Sequence, residues 1–182
     1  MGVSGCGKST VGALLAGELG WPFEEGDSLH PQANIDKMAA GHPLDDDDRW
    51  PWLEKVAEWV EGCLDSGRSG VITCSALKRS YRDVINRRGR GVGGGVGVGG
   101  GVGGGVEFVY LAGSREMIAA RLAARQGHFM PPALLDSQFA TLEEPTPDEP
   151  SIRVEVGPPA PVIADRIRQM LQLDHPTGRA PS

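Results

Sequence analysis

Eight residues near the start of this chain leave little freedom for what surrounds them. Gly2-Val3-Ser4-Gly5-Cys6-Gly7-Lys8-Ser9, followed by Thr10, fits the pattern G-x-x-x-x-G-K-[ST]. Glycines at these places let backbone N–H groups face an anion without a Cβ in the way. A helix opening at Lys8 points its positive end at the same anion. Lys8 then bridges the outer phosphates, and the Ser9 hydroxyl ligates Mg²⁺. Such a loop arises by accident in roughly 1 chain in 100 of this composition. A phosphate loop requires a strand-to-helix turn, so the rest of the chain is expected to alternate strands with helices.

It does. Val11, Leu14, Leu15 and Leu19 put one apolar face on a helix running from Lys8 to Gly20. Phe23 to Asp27 reads as a short strand or loop, and residues 31–41 as a short helix between Pro31 and Gly41. Leu53, Val56, Ala57, Val60 and Leu64 mark another helix with Pro51 in its first turn. Val71 to Cys74, Val106 to Leu111 and Ile152 to Val156 read as strands. Residues 79–88, 115–126 and 162–173 read as helices, and 174–182 as a frayed tail. The pattern predicts βαβ units: an α/β fold in three layers, with a parallel sheet between helices. A phosphate loop ordinarily follows a buried strand, and only Met1 precedes Gly2. The first strand is therefore expected to be missing, leaving its two neighbours without a ladder partner. One domain over residues 1–173 is expected.

Composition narrows the partners. Lys+Arg number 18 and Asp+Glu 24, a net charge of −6, which argues against nucleic acid as the main partner. Three cysteines with no C-x-x-C pair exclude a disulfide scaffold and fit a reducing cytoplasm. No apolar run is long enough for a membrane span, and the first residues do not read as a signal peptide. Residues 89–105 are almost wholly glycine and valine, with nothing to offset the entropy of ordering them. They read as a flexible insertion in one loop.

Further motifs follow in order: Gly26-Asp27-Ser28-Leu29-His30-Pro31, then Asp46-Asp47-Asp48-Arg49 with Pro51-Trp52-Leu53. Next come Cys74-Ser75-Ala76-Leu77-Lys78 and Tyr81-Arg82-Asp83, then Arg121, Arg125 with Gly127-His128-Phe129, and Ser137-Gln138-Phe139 with Thr141-Leu142-Glu143. In this order and spacing the chain resembles the bacterial (thermoresistant-type) gluconokinases of the shikimate-kinase-like P-loop group, over about residues 2–156. Asp45 stands where that family more often has Asn or Thr. The resemblance implies a three-layer P-loop NTPase fold with a small lid at about 121–140. It implies transfer of the ATP γ-phosphate, with Mg²⁺, to the 6-hydroxyl of D-gluconate. A homodimer comes with the family. Kinases for shikimate or another small hydroxy acid are the near alternatives. A truncated, inactive nucleotide-binding remnant is the distant one.

Each candidate residue has a plainer reading beside it. Asp27, ahead of a turn, suits a base for the attacking hydroxyl or a holder of Mg²⁺-bound water; an Asx-turn or helix cap is the alternative. His30 suits contact with substrate hydroxyls or simple loop packing. Arg49, Lys78 and Arg82 suit a substrate carboxylate, and Lys78 and Arg82, spaced i, i+4, share a helix face; a solvated basic face is the alternative. Arg79, Arg87, Arg88 and Arg90 belong to that solvated face. Asp45 to Asp48 read as capping of the Pro51 helix rather than as a metal cluster. Arg121 and Arg125 suit a lid that neutralises the transferring phosphoryl, against a solvated face. The strand ending at Cys74 carries no acidic residue for Mg²⁺, which leaves Ser9, phosphates and waters, with Asp27 nearby. Cys6 reads as a passive small residue or an oxidation-sensitive thiol.

Overall fold

The computed structural model describes residues 1–88, 105–124 and 132–173. Helix α1 (Lys8–Leu19) buries Val11, Leu15, Ala16 and Leu19, and ends at Gly20 in the left-handed conformation, where Trp21 N–H donates to the Ala16 carbonyl at 2.9 Å. Strand β1 (Phe23–Glu25) follows, then a single 3₁₀ turn (Gly26–Leu29), α2 (Gln32–Ala39) and α3 (Asp46–Asp65). Strand β2 (Val71–Thr73) leads to α4 (Arg79–Ile85). The second half runs β3 (Phe108–Ala112), α5 (Arg115–Ala124), α6 (Pro132–Thr141), β4 (Ser151–Glu155) and α7 (Ala160–Met170).

The strands are parallel, with helices in the crossovers, as the alternation predicts. They do not form one sheet. β1 pairs with β2, and β3 with β4. Among the described residues, Met1 and Gly2 cross the seam between the pairs. The Met1 amino group donates to the Val109 carbonyl at 2.6 Å, and Leu111 N–H donates to the Met1 carbonyl at 3.0 Å. Gly2 N–H donates to the Ser75 carbonyl at 3.1 Å. The phosphate loop is thereby fixed to both halves.

Two apolar clusters flank the strands. One joins α1 and α7 to Leu111, Ile118, Leu135 and Val154; the other joins α3 to Cys74, Tyr81, Ile85 and Phe108. Val71 packs on the first and Ile72 on the second, as neighbours on a strand face opposite ways. These are the three layers.

Several helix boundaries differ from expectation by a few residues, and that of α3 has a clear physical cause. α3 begins five residues before Pro51, because Asp45 and Asp48 form a capping box: each side chain accepts the other's backbone N–H, at 3.0 and 2.9 Å. Pro51 therefore lies inside the helix, where its missing N–H leaves the Asp47 carbonyl without its usual donor. α6 was not foreseen as a helix. The glycine-valine segment through Gly104, the residues 125–131 with Arg125, Gly127, His128 and Phe129, and the tail 174–182 lie outside the described residues.

Candidate active site

The phosphate loop is formed by residues of unusual backbone. Gly7 caps α1 with φ +104°, a conformation that costs other residues dearly, and a Cβ there would project into open space. No side chain caps this helix end, so its first N–H groups, from Lys8 to Thr10, point outward without an intrahelical acceptor. That is an anion cradle. The Lys8 ammonium donates to the Gly2 and Val3 carbonyls at 3.0 and 3.1 Å, arching over the loop. Ser9 is exposed at the same end, as a hydroxyl that meets a phosphate-bound cation must be. No cluster of three His, Cys, Asp or Glu residues exists among the described residues. Val3 and Cys6 are buried in the core, which favours the passive reading of Cys6.

Asp27 lies on the 3₁₀ turn at the end of β1. The turn is pressed against β2: a Cβ on Gly26 would lie 2.0 Å from the Thr73 carbonyl oxygen. Gly26 N–H donates to Thr73 Oγ1 at 3.3 Å, and the Trp52 indole donates to the Gly26 carbonyl at 2.7 Å. Asp27 itself is exposed, and its side chain makes no hydrogen bond or ion pair with the described residues. Buried Cys74, at the end of β2, lies within electrostatic reach of both Asp27 and Lys8. Burial pushes its thiol up to about 12. The cradle and the carboxylate thus share one end of the strands.

A cavity of about 460 Å³ opens among Leu44, Asp45 to Asp47, Arg49, Lys78, Tyr81 and Thr141. Its cations come from two elements. Arg49 sits in the first turns of α3, its Nε donating to the Leu44 carbonyl at 3.3 Å. Lys78 is presented by a turn in which Ala76 has φ +44°, a strained conformation for a residue with a side chain. Lys78 pairs with both oxygens of Asp46 at 2.7 and 2.8 Å, and the Tyr81 hydroxyl donates to the same carboxylate. First Lys78 and then Tyr81 hold the Asp46 carboxyl below the usual range. Arg49 and Lys78 both lie near the face of the Tyr81 ring, at 5.8 and 5.4 Å from its centre.

Arg82 is placed differently from the carboxylate-binding role expected of it. It is 1% exposed. Its guanidinium grips Glu149 through two bonds of 2.5 and 2.9 Å and donates to the carbonyls of Ala76, Leu77 and Glu143. It does not line the cavity; it supports the turn that carries Lys78. His30 takes the packing role: it stacks on Trp52 with ring centres 4.2 Å apart, and Asn34 links its Nδ1 to the Asp48 carbonyl. Burial lowers its pKa, which favours the neutral ring. Arg121 donates to the carbonyls of Val156 and Gly157, beyond β4. Arg79 and Arg87 carry ion pairs at the surface, with Asp148 and with Glu54 and Glu61, and Arg88 pairs with Asp65. Asp46, Tyr81 and Thr141 also line the cavity; in the sequence Asp46 reads as a helix cap, and Tyr81 and Thr141 stand only within the motifs that carry the resemblance.

An anion cradle at the head of α1, a carboxylate on the turn after β1 and a cavity that presents Arg49 and Lys78 define a P-loop kinase. A family model described as shikimate kinase matches residues 4–146. The chain is 45% identical over 174 residues to a gluconokinase of Gluconobacter oxydans (strain 621H), covering 96% of this chain and 90% of that one. Its structure matches a gluconokinase from Sinorhizobium meliloti 1021 with a TM-score of 0.79 at 44% identity, over 94% of this chain and 89% of the other. A sugar kinase from Janibacter sp. HTCC2649 matches with a TM-score of 0.81 at 44% identity, over 95% and 92%. The chain belongs to the gluconokinase family.

Proposed function

We propose that this protein transfers the γ-phosphoryl group of ATP to the 6-hydroxyl of D-gluconate, giving 6-phosphogluconate and ADP. The observation that supports the reading is the bond from the phosphate loop, Gly2 N–H, to the Ser75 carbonyl at 3.1 Å, three residues before Lys78 of the cavity, with the Asp27 turn packed on Thr73 at the end of β2 just before it. The phosphate-loop N–H groups and Lys8 hold the triphosphate and oppose its charge. Asp27 orients the 6-hydroxyl and takes its proton as the new P–O bond forms and the bond to the β-phosphate oxygen breaks. Arg49 and Lys78 bind the sugar-acid carboxylate; Lys78 exchanges Asp46 for it. Arg121 reaches the transferring phosphoryl by letting go of the Val156 carbonyl. Ser9 is the residue that would hold Mg²⁺, whose contribution with the nucleotide is charge neutralisation. The three free cysteines and the need for ATP fit a cytoplasmic setting. No described helix is long and apolar enough to cross a membrane. A homodimer is part of the same proposal, open to sedimentation of the purified chain.

The test is ADP release from Mg·ATP with D-gluconate, with shikimate, and with neither. Release that depends on gluconate and not on shikimate is expected. Equal release with both acids, or none with either, overturns the reading.

A further inference from the structure

The helix that sequence reasoning overlooked touches both halves of the site. From α6, Gln138 addresses the phosphate loop twice. Ser4 N–H donates to its Oε1 at 2.7 Å, and its Nε2 donates to Ser4 Oγ at 3.1 Å. A turn later on the same helix, Thr141 lines the cavity that holds Arg49 and Lys78. Past the helix end, Glu143 N–H donates to the Leu77 carbonyl at 2.8 Å, and its carboxylate accepts from Arg79 N–H at 2.7 Å. Leu77 and Arg79 flank Lys78 in sequence. The stretch 138–143, from the last turn of α6 to just past it, therefore bears on Ser4 through Gln138 and on the Lys78 turn through Glu143.

Gly2 also reaches this turn, through its N–H to the Ser75 carbonyl at 3.1 Å, but Gln138 is the side chain that bonds to Ser4. Val3 and Cys6, beside Ser4, are anchored in the core, whereas Ser4 is half-buried and held from outside. The covering helix α5 meets the loop only through apolar contact: a Cβ on Gly5 would lie 2.7 Å from Leu122 Cγ. The carboxamide of Gln138 suits its place. It supplies an acceptor and a donor to Ser4 while adding no charge next to a loop built for phosphates.

We propose that Gln138 is a positioning residue that couples occupancy of the cavity to the geometry of the phosphate loop. A sugar acid drawn against Lys78 and Thr141 fixes α6, and α6 fixes Ser4 through Gln138. The nucleotide then meets a loop already in its bound shape. By reciprocity the nucleotide favours sugar-acid binding by the same factor. The inference rests on the gluconate reading above.

The test is the affinity of a non-hydrolysable ATP analogue, measured by calorimetry with and without saturating D-gluconate, in the wild-type chain and in Gln138→Met. Methionine keeps the length of the side chain and removes both hydrogen bonds. In the wild type, gluconate is expected to tighten analogue binding about tenfold. In Gln138→Met that factor falls to about one, with analogue affinity in the absence of gluconate within about threefold of wild type, and kcat falls about tenfold. Gln138→Glu, which retains an acceptor but adds charge, is expected to lose kcat further. A factor that survives in Gln138→Met overturns the proposal, even if kcat drops, because loss of kcat alone is what mere loosening of the loop produces. A variant that has lost its fold shows itself in circular dichroism; Ser4→Ala, which deletes only the Oγ contact, is then measured and is expected to reduce the factor partly. An unchanged factor in Ser4→Ala likewise overturns the coupling. A wild-type chain that binds the analogue but neither binds nor phosphorylates gluconate overturns the gluconate reading itself, a result distinct from the others.

Discussion

At the scale of single residues, chemistry that depends on local spacing was readable and chemistry that depends on burial was not. The phosphate loop was legible because its residues are consecutive and each type has a steric or electrostatic reason. The place of Asp27, on a turn after a strand, was legible, and its role as base belongs to the proposal. Its exposure, and the absence of a side-chain hydrogen bond or ion pair to it among the described residues, sharpen the expectation for Asp27→Asn. Since the side chain supports no packing, the variant should keep its melting temperature within about 1 °C and lose about 10²- to 10⁴-fold in kcat. Steady-state kinetics beside a thermal melt check both halves, and full turnover removes Asp27 from the mechanism. Arg82 was misjudged for a physical reason. Its partner Glu149 lies 67 residues away in sequence. Nothing in the local basic pattern distinguishes a guanidinium that ends in the core from one that ends in water. The same holds for Asp46, which looked like one of four equivalent capping carboxylates until Lys78 and Tyr81 converged on it.

At the scale of elements, periodicity located most helices and strands, and capping decided where they began. α3 shows the point. The proline attracted the predicted start, but two side chains that satisfy each other's backbone N–H groups are the stronger signal, and they placed it at Asp46. α6 carried a readable pattern in Leu134, Leu135, Gln138, Phe139 and Leu142. Pro132 opens the helix, a place in the first turn that suits proline, within a stretch whose resemblance implies only a lid. The element most sensitive to substitution is the 3₁₀ turn beneath Asp27. Gly26→Ala forces a methyl against the Thr73 carbonyl. The turn must shift off β2, costing at least about 2 kcal/mol and moving Asp27 with it. Urea denaturation and kcat should both report the loss. A stable, active Gly26→Ala chain means the turn is softer than this packing implies.

At the scale of the molecule, long-range polar links tie the two strand pairs and their helices together, and among the described ion pairs Arg82–Glu149 is the most enclosed, with side chains 1% and 5% exposed. Arg82 holds the Glu149 carboxyl down at about 2, against an ordinary value near 4.3. The pair therefore stabilises the fold fully above about pH 5, and the stability drains away as pH falls towards 2, because the unfolded chain takes up the proton first. Glu149→Gln should cost about 3–5 kcal/mol at neutral pH by leaving a buried guanidinium unpaired, and should flatten the acid limb of the stability curve. Melting temperatures from pH 7 down to about 3 test both, and an unchanged acid limb would assign the acid sensitivity to other carboxylates.

The cavity has a consequence of its own for how a ligand arrives. Its lining holds Asp45, Asp46 and Asp47 against Arg49 and Lys78, in a chain whose net charge is −6. An approaching anion meets a repulsive field at long range and attraction only on contact, once Asp46 has given up Lys78. Salt shortens the reach of the repulsion more than it weakens the enclosed contact. Encounter with gluconate should therefore quicken as ionic strength rises from about 0.05 M to about 0.5 M, the reverse of a basic pocket that steers its anion in. Stopped-flow fluorescence of Trp50, which packs edge-on against Tyr81 at 5.4 Å, gives the rate directly. A rate that falls with salt would mean that the two cations govern the approach. A rate that rises would mean that this enzyme trades speed of capture for discrimination at the point of contact.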